Sequence, residues 1–272
     1  MFYPVNKSPS DWQQYTLVLP AVSVGNVGQL AVDLLISTLE LKKTGFIYHE
    51  SILPLVGNDP FVNTVPTSCT LVTSCEVYED RDKKLVVIQQ RAPLIKGKKS
   101  FFVSWLAAWI KEQKFKQVVI VTSSYSHERL DTQLSGSQFR YLASRQAELV
   151  EGDKFEKLKW QKLEKRDGLA ATAPSENDDT NVGATVYIPG GGIAKALYKE
   201  CYSDVAMIVM LTFCSEGDNA QDAINIMNHL NEWLHLVEPK VSKLKQSVSI
   251  PWKLPVSWKL MFGSPVDRTL FH

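Results

Sequence analysis

Three apolar runs constrain this chain more than anything else in it: "YTLVLPAV" (15–22), "KQVVIVTSS" (116–124) and "VAMIVMLTF" (205–213). Each is short, rich in β-formers and almost without charge, which is the pattern of a buried strand. Helix-period segments lie between them. After Asn26 a helix is predicted with Val27, Leu30, Ala31, Leu34, Leu35, Thr38 and Leu39 on one broad face, and Gln29, Asp33, Ser37 and Glu40 on the other. A second helix is predicted over Lys98–Gln113, where Phe102, Trp105, Leu106, Trp109 and Ile110 share a face, and a third over 218–237 behind Asp218 as cap. Strands alternating with helices predict a three-layer α/β fold, a sheet flanked by helices.

The remaining segments are less regular. Strands are expected at 44–49, at 69–80 and at 83–92, the last two joined by the polar turn "EDRD" (79–82). The stretch 54–61 reads as turn, and "FRYLASRQAELV" and "FEKLKWQKLEK" as helical. Residues 166–182 are small, acidic and polar, so a mobile surface loop is expected there. "ATVYIP" (184–189) reads as a strand that leads into a helix from "GGGIAKALYKECY". No second autonomous core is evident, so 1–272 is taken as a single domain ending in a tail at 264–272.

Composition closes off several functions. Apolar residues make up 44% and charged residues 22%, with 30 basic against 29 acidic side chains and a net charge of +1. That balance gives neither a nucleic-acid surface nor a polybasic membrane anchor. The apolar runs fall short of the ~20 residues that span a bilayer, and "MFYPVNKSPSDWQQY" lacks the h-region of a signal peptide. A soluble intracellular protein is expected, with Cys69, Cys75, Cys201 and Cys214 as free thiols.

Three stretches have the look of chemistry. "SVGNVGQLA" joins a strand to a helix through Gly25 and Gly28, but the dinucleotide fingerprint G-x-G-x-x-G needs a third glycine. A tight turn capped by Asn26, with Gln29 completing a capping box, explains the same residues. "PGGGIAKAL" (189–197) exposes backbone N–H groups as anion sites do, yet Lys195 stands three positions after Gly192 and Ala196 replaces the hydroxyl of a Walker loop. Close approach of another segment or chain is the other use of such glycines. Ser123, Ser124, His127 and Asp131 follow a buried strand, without the G-x-S-x-G elbow of a hydrolase. His229 and His235 are six apart on one helix and cannot chelate one ion together. No catalytic, cofactor or metal set emerges. Trp233, Trp252 and Trp258 crowd the last part of the chain, where Trp233 fits a core and "PWKLPVSW" a clamp across it.

"TLVLPAVSVGNVGQLAVDLLISTL", "LVGNDPF", "FRYL", "IPGGGIAKALY", "FCSEGDN" with "LNEWL", and "PVSWKLMFGS" together resemble the proteasome assembly chaperones, in the same order from Tyr15 to Ser264. The resemblance implies a Rossmann-like or nucleoside-phosphorylase-like sheet and a non-enzymatic chaperone without a cofactor. It implies a heterodimer with proteasome assembly chaperone 1 that binds proteasome alpha subunits, promotes alpha-ring assembly and opposes off-pathway association of rings, in cytoplasm and nucleus. Related chaperones dock by a hydrophobic–tyrosine–any-residue tail. Leu270-Phe271-His272 resembles it with Phe for Tyr, losing one hydrogen bond of about 1 kcal/mol. Gly190, Gly191, Gly192, Trp258 and Phe262 are the candidate heterodimer face. A nucleoside- or nucleotide-processing enzyme, using the loops at Gly25, Ser123 and Gly190, is the alternative.

Overall fold

All three apolar runs become neighbours in one sheet. A computed structural model describes residues 1–5, 11–61, 70–166, 186–241 and 248–260. In chain order the elements are β1 (Phe2–Pro4), β2 (Thr16–Pro20), α1 (Val27–Leu39), β3 (Lys42–Ile47), β4 (Val56–Asn58), β5 (Leu71–Thr73), β6 (Cys75–Asp80) and β7 (Leu85–Gln90). They continue with α2 (Lys99–Gln113), β8 (Gln117–Tyr125), β9 (Phe139–Ala143), α3 (Arg145–Lys157), α4 (Ala194–Cys201), β10 (Met207–Cys214), α5 (Ala220–Leu234), β11 (Lys240–Val241) and β12 (Val248–Ser249).

The main sheet runs β1-β3-β6-β7-β2-β8-β10-β9. β7, β2, β8 and β10 are parallel, and the strands outside them pair antiparallel. Helices cover both faces, which is why the parallel strands read as unbroken apolar runs. Leu17, Leu19, Val118, Ile120, Val209 and Leu211 pack toward α2 and α4. Val18, Val119, Val121, Ile208 and Met210 alternate with them and pack toward α1, α3 and α5. The three-layer α/β expectation holds.

Several local expectations do not. "FRYLA" is β9, an edge strand antiparallel to β10, rather than helix. Its pairing with β10 and the burial of Phe139 and Tyr141 outweigh local propensity. The helix begins only after Ser144, whose hydroxyl accepts from the Ala147 N–H at 3.3 Å. It ends at Lys157, so most of "FEKLKWQKLEK" is not helical. The turn-rich stretch 54–61 contributes β4 to a two-stranded ribbon with β5. Residues 186–189 carry no strand, and 184–185 lie outside the described residues. β1 pairs with β3 at the sheet edge without any sequence sign of it.

α1 also departs from its pattern, because Asp33 and Ser37 on its polar face are buried. Cys75, Cys201 and Cys214 are free and buried; Cys69 lies outside the described residues. The loop at 166–182 beyond Arg166, Phe262 and the whole tail at 264–272 also lie outside them. No helix among the described residues is long and apolar enough to cross a membrane.

Candidate functional site

In open α/β sheets the crevice at the carboxyl ends of the parallel strands is where ligands bind. Here it is occupied by the chain itself. After β2 the backbone turns through Gly25 (φ 65°) and Asn26 (φ 54°), both left-handed, before α1 starts. Asn tolerates that region. Its side chain makes no capping bond, so the Asn26–Gln29 capping box is not formed. The Gln29 amide instead donates to the Gln90 carbonyl at 2.8 Å, tying α1 to the end of β7. Gly28 has a different task. A Cβ there would sit 2.5 Å from the Val121 carbonyl oxygen and 2.9 Å from that of Ala21, so the start of α1 rests directly on backbone.

The glycine segment 190–192 closes the same end. The Val24 N–H donates to the Gly190 carbonyl at 2.9 Å, the Ser124 hydroxyl to Pro189 at 2.8 Å and Thr122 Oγ1 to Gly191 at 3.1 Å. Lys99 Nζ, at the start of α2, donates to the Gly192 carbonyl. Gly192 takes φ 59°, and a Cβ on it would lie 2.3 Å from the Val22 carbonyl oxygen. Close backbone approach, one of the two uses open to these glycines, is the use the fold makes of them within the chain. They offer a partner no side chain, although Gly190 reaches the surface.

The hydroxyls are committed too. Ser123 Oγ donates to the Val24 carbonyl and lies 2.8 Å from Ser23 Oγ. A hydroxyl has one proton, so Ser23 must supply the bond between the two oxygens while it accepts from the Ser123 N–H at 3.2 Å. Ser123 is fully buried, whereas His127 and Asp131 are exposed. The structure does not bring the four polar residues of 122–131 together. Cys214 lies beside Val24, its thiol pushed up to about 11 by burial.

A polar network borders this end. Asp33 accepts from both terminal nitrogens of Arg91, at 2.9 and 3.2 Å, and from Gln89 Nε2 at 2.7 Å. Burial acts to lower the Arg91 pKa, but the charge and hydrogen bonds of Asp33, with Tyr78 and Glu76 behind, raise it on balance and hold the guanidinium charged. The pair was not foreseen, because helical periodicity alone assigned Asp33 to solvent.

The chain after β12 lies as a strap on α1 and α5. Trp252 Nε1 donates to Asn228 Oδ1 at 2.7 Å, the Lys253 N–H to Thr38 Oγ1 at 3.0 Å, and Lys253 Nζ pairs with Glu40 at 2.7 Å. Trp252 and Trp258 pack half-buried on the core layer that contains buried Trp233. Trp233 is therefore in the core, where it donates to Glu151 and packs on Phe155 and Trp160, while the strap is held by Asn228, Thr38 and Glu40. His229 stacks on Phe139 at 4.2 Å, and His235 is exposed at the end of α5.

A parallel-centred α/β sheet flanked by helices, with its own glycine segment and hydroxyls packed at the carboxyl ends of the strands, defines the class of fold. The PAC2 family pattern matches residues 17–247, and the chain belongs to the PAC2 family. It is 42% identical to Proteasome assembly chaperone 2 of Danio rerio and 41% identical to that of Homo sapiens, each over 272 residues and all of both chains. Among solved structures it resembles Pyrococcus furiosus PbaA, an archaeal homolog of proteasome-assembly chaperone, with TM-score 0.59 and 15% identity over 89% of this chain and 88% of that one. PbaB of the same organism, an archaeal proteasome activator, gives TM-score 0.58 and 13% identity over 90% and 92%. At such identities these two likenesses concern the fold alone.

Proposed function

We propose that this chain is a proteasome assembly chaperone that acts by binding. It pairs with proteasome assembly chaperone 1, and the pair engages proteasome alpha subunits, favours correct alpha-ring assembly and opposes off-pathway ring association, in cytoplasm and nucleus. The end-to-end identity with relatives of that name carries the proposal. The filled crevice agrees with it, because buried backbone and hydroxyls take the place where a small substrate would sit.

Leu270, Phe271 and His272 are the proposed anchor on the alpha subunits, an apolar residue and an aromatic ring followed by His272. Coexpression with proteasome assembly chaperone 1 and alpha subunits, followed by pull-down, tests both parts. Deleting the last three residues is expected to weaken alpha-subunit capture and spare the heterodimer. Unchanged capture removes the tail as anchor. Absence of any heterodimer or alpha-subunit capture by the intact chain removes the function.

A further inference from the structure

The glycine segment packs closely on the rest of the chain, and a second candidate surface for the partner chaperone lies elsewhere. One end of the molecule stands out. Tyr48 after β3, Leu53, Leu55 and Val56 leading into β4, Leu71 in β5 and Phe101 in α2 are all exposed, Tyr48 to 68% and Val56 to 66%. Tyr48, Leu53, Leu55 and Phe101 are tied to one another, and Val56 and Leu71 lie on the adjoining ribbon. Tyr48 and Leu55 wall one cavity of about 430 Å³ with His49 and Ile95. Phe101 lies on His49 with ring centroids 5.1 Å apart. The Ser74 hydroxyl donates to the Leu53 carbonyl and accepts from the Leu55 N–H, holding that segment against the ribbon.

We propose that this surface is where the partner chaperone seats. The assignment rests on the function proposed above. The six side chains offer on the order of 500 Å² of apolar surface, near the upper limit for a monomer and more than half of what one side gives to a standard interface of about 800 Å² per partner. A patch spread over a strand end, a ribbon and a helix start suits a folded chain rather than an extended peptide. The exposed ion pair Lys98–Glu50, at 3.1 Å, stands at its rim. An apolar centre with a charged rim is the anatomy of a protein interface. The cavity beside Tyr48 is the socket for one apolar anchor of the partner.

The test is coexpression of the full chain with proteasome assembly chaperone 1 and measurement of heterodimer affinity. Tyr48→Glu and Val56→Glu should each weaken the pair at least tenfold. Tyr48→Phe should keep it, as should Leu149→Glu on α3 at the opposite edge of the sheet. Circular dichroism of each variant checks that the fold is kept. A heterodimer equally tight in all variants overturns the surface and leaves the proposed function standing. Loss confined to alpha-subunit capture, or loss of a self-association of the intact chain with the heterodimer kept, assigns the patch to another occupant and overturns it as well. An intact chain that forms no heterodimer takes down the function and the surface together.

Discussion

Ser23 and Ser123, a hundred positions apart, lie with their hydroxyl oxygens 2.8 Å from each other just beyond the point where β2 and β8 part. Each depends on the other, since Ser23 also accepts the Ser123 N–H and Ser123 donates to the Val24 carbonyl. Replacing Ser123 by Ala removes the donor to a buried carbonyl and the acceptor for Ser23. A loss of about 1–3 kcal/mol is expected in urea unfolding, with the slope unchanged.

Gly28 and Gly57 should respond oppositely to the same change. A Cβ on Gly28 meets backbone oxygens of two strands at 2.5 and 2.9 Å, and neither strand can retreat without disturbing the sheet. Gly28→Ala is expected to cost about 1–3 kcal/mol or more. Gly57 has nothing within 4 Å of that position, so Gly57→Ala should stay within about 0.5 kcal/mol of the parent. Thermal melts of the two variants side by side measure the contrast.

Asp33 and Arg91 form a pair with side chains only 10% and 16% exposed. Removing one partner strands the other, and Asp33→Ala should destabilise by about 3 kcal/mol. Asp33→Leu combined with Arg91→Met is expected to recover most of that loss. A double-mutant cycle by denaturant unfolding reads the coupling directly.

His49 should make stability depend on pH. Its Nδ1 accepts the Ser51 N–H at 3.1 Å, which needs that nitrogen unprotonated. The ring sits against Phe101, Phe102 and Trp105. Burial first, then the N-terminal ammonium, lowers its pKa; Glu50 opposes this and Lys98 adds to it. The folded value thus lies below the unfolded one of about 6.5. Its contribution is complete above the unfolded value and is lost as pH falls through the folded one. Unfolding free energy is expected to drop as pH falls below about 6.5, and less steeply in His49→Gln.

The central strands and long helices were legible because each carries its own period. β2, β8 and β10 are buried on both faces and announce it in unbroken apolar runs. β9 was not legible, because Phe139 and Tyr141 take their direction from β10, a partner more than sixty residues onward. The burial of Asp33 was hidden for a like reason: its cover comes from Arg91 and Gln89 at the far end of β7. At the carboxyl end, the glycines signalled a close backbone approach but not its target. Val22 and Val24 look like ordinary turn residues, and only the fold shows that Gly192 and Gly190 meet their carbonyl and amide. The exposed end at Tyr48 and Val56 carries no sequence mark, since nothing local separates an exposed aliphatic residue from a buried one.

The strand order has a consequence for how this protein comes into being. β2 emerges early, yet its two neighbours arrive late: Thr16 pairs with Leu85 on one side and Gln117 on the other. Until both are made, the middle of the sheet is a sticky ribbon with bare edges, and long-range pairing of this kind closes slowly. During synthesis this chain therefore passes through a period in which it, too, is open to the wrong neighbour.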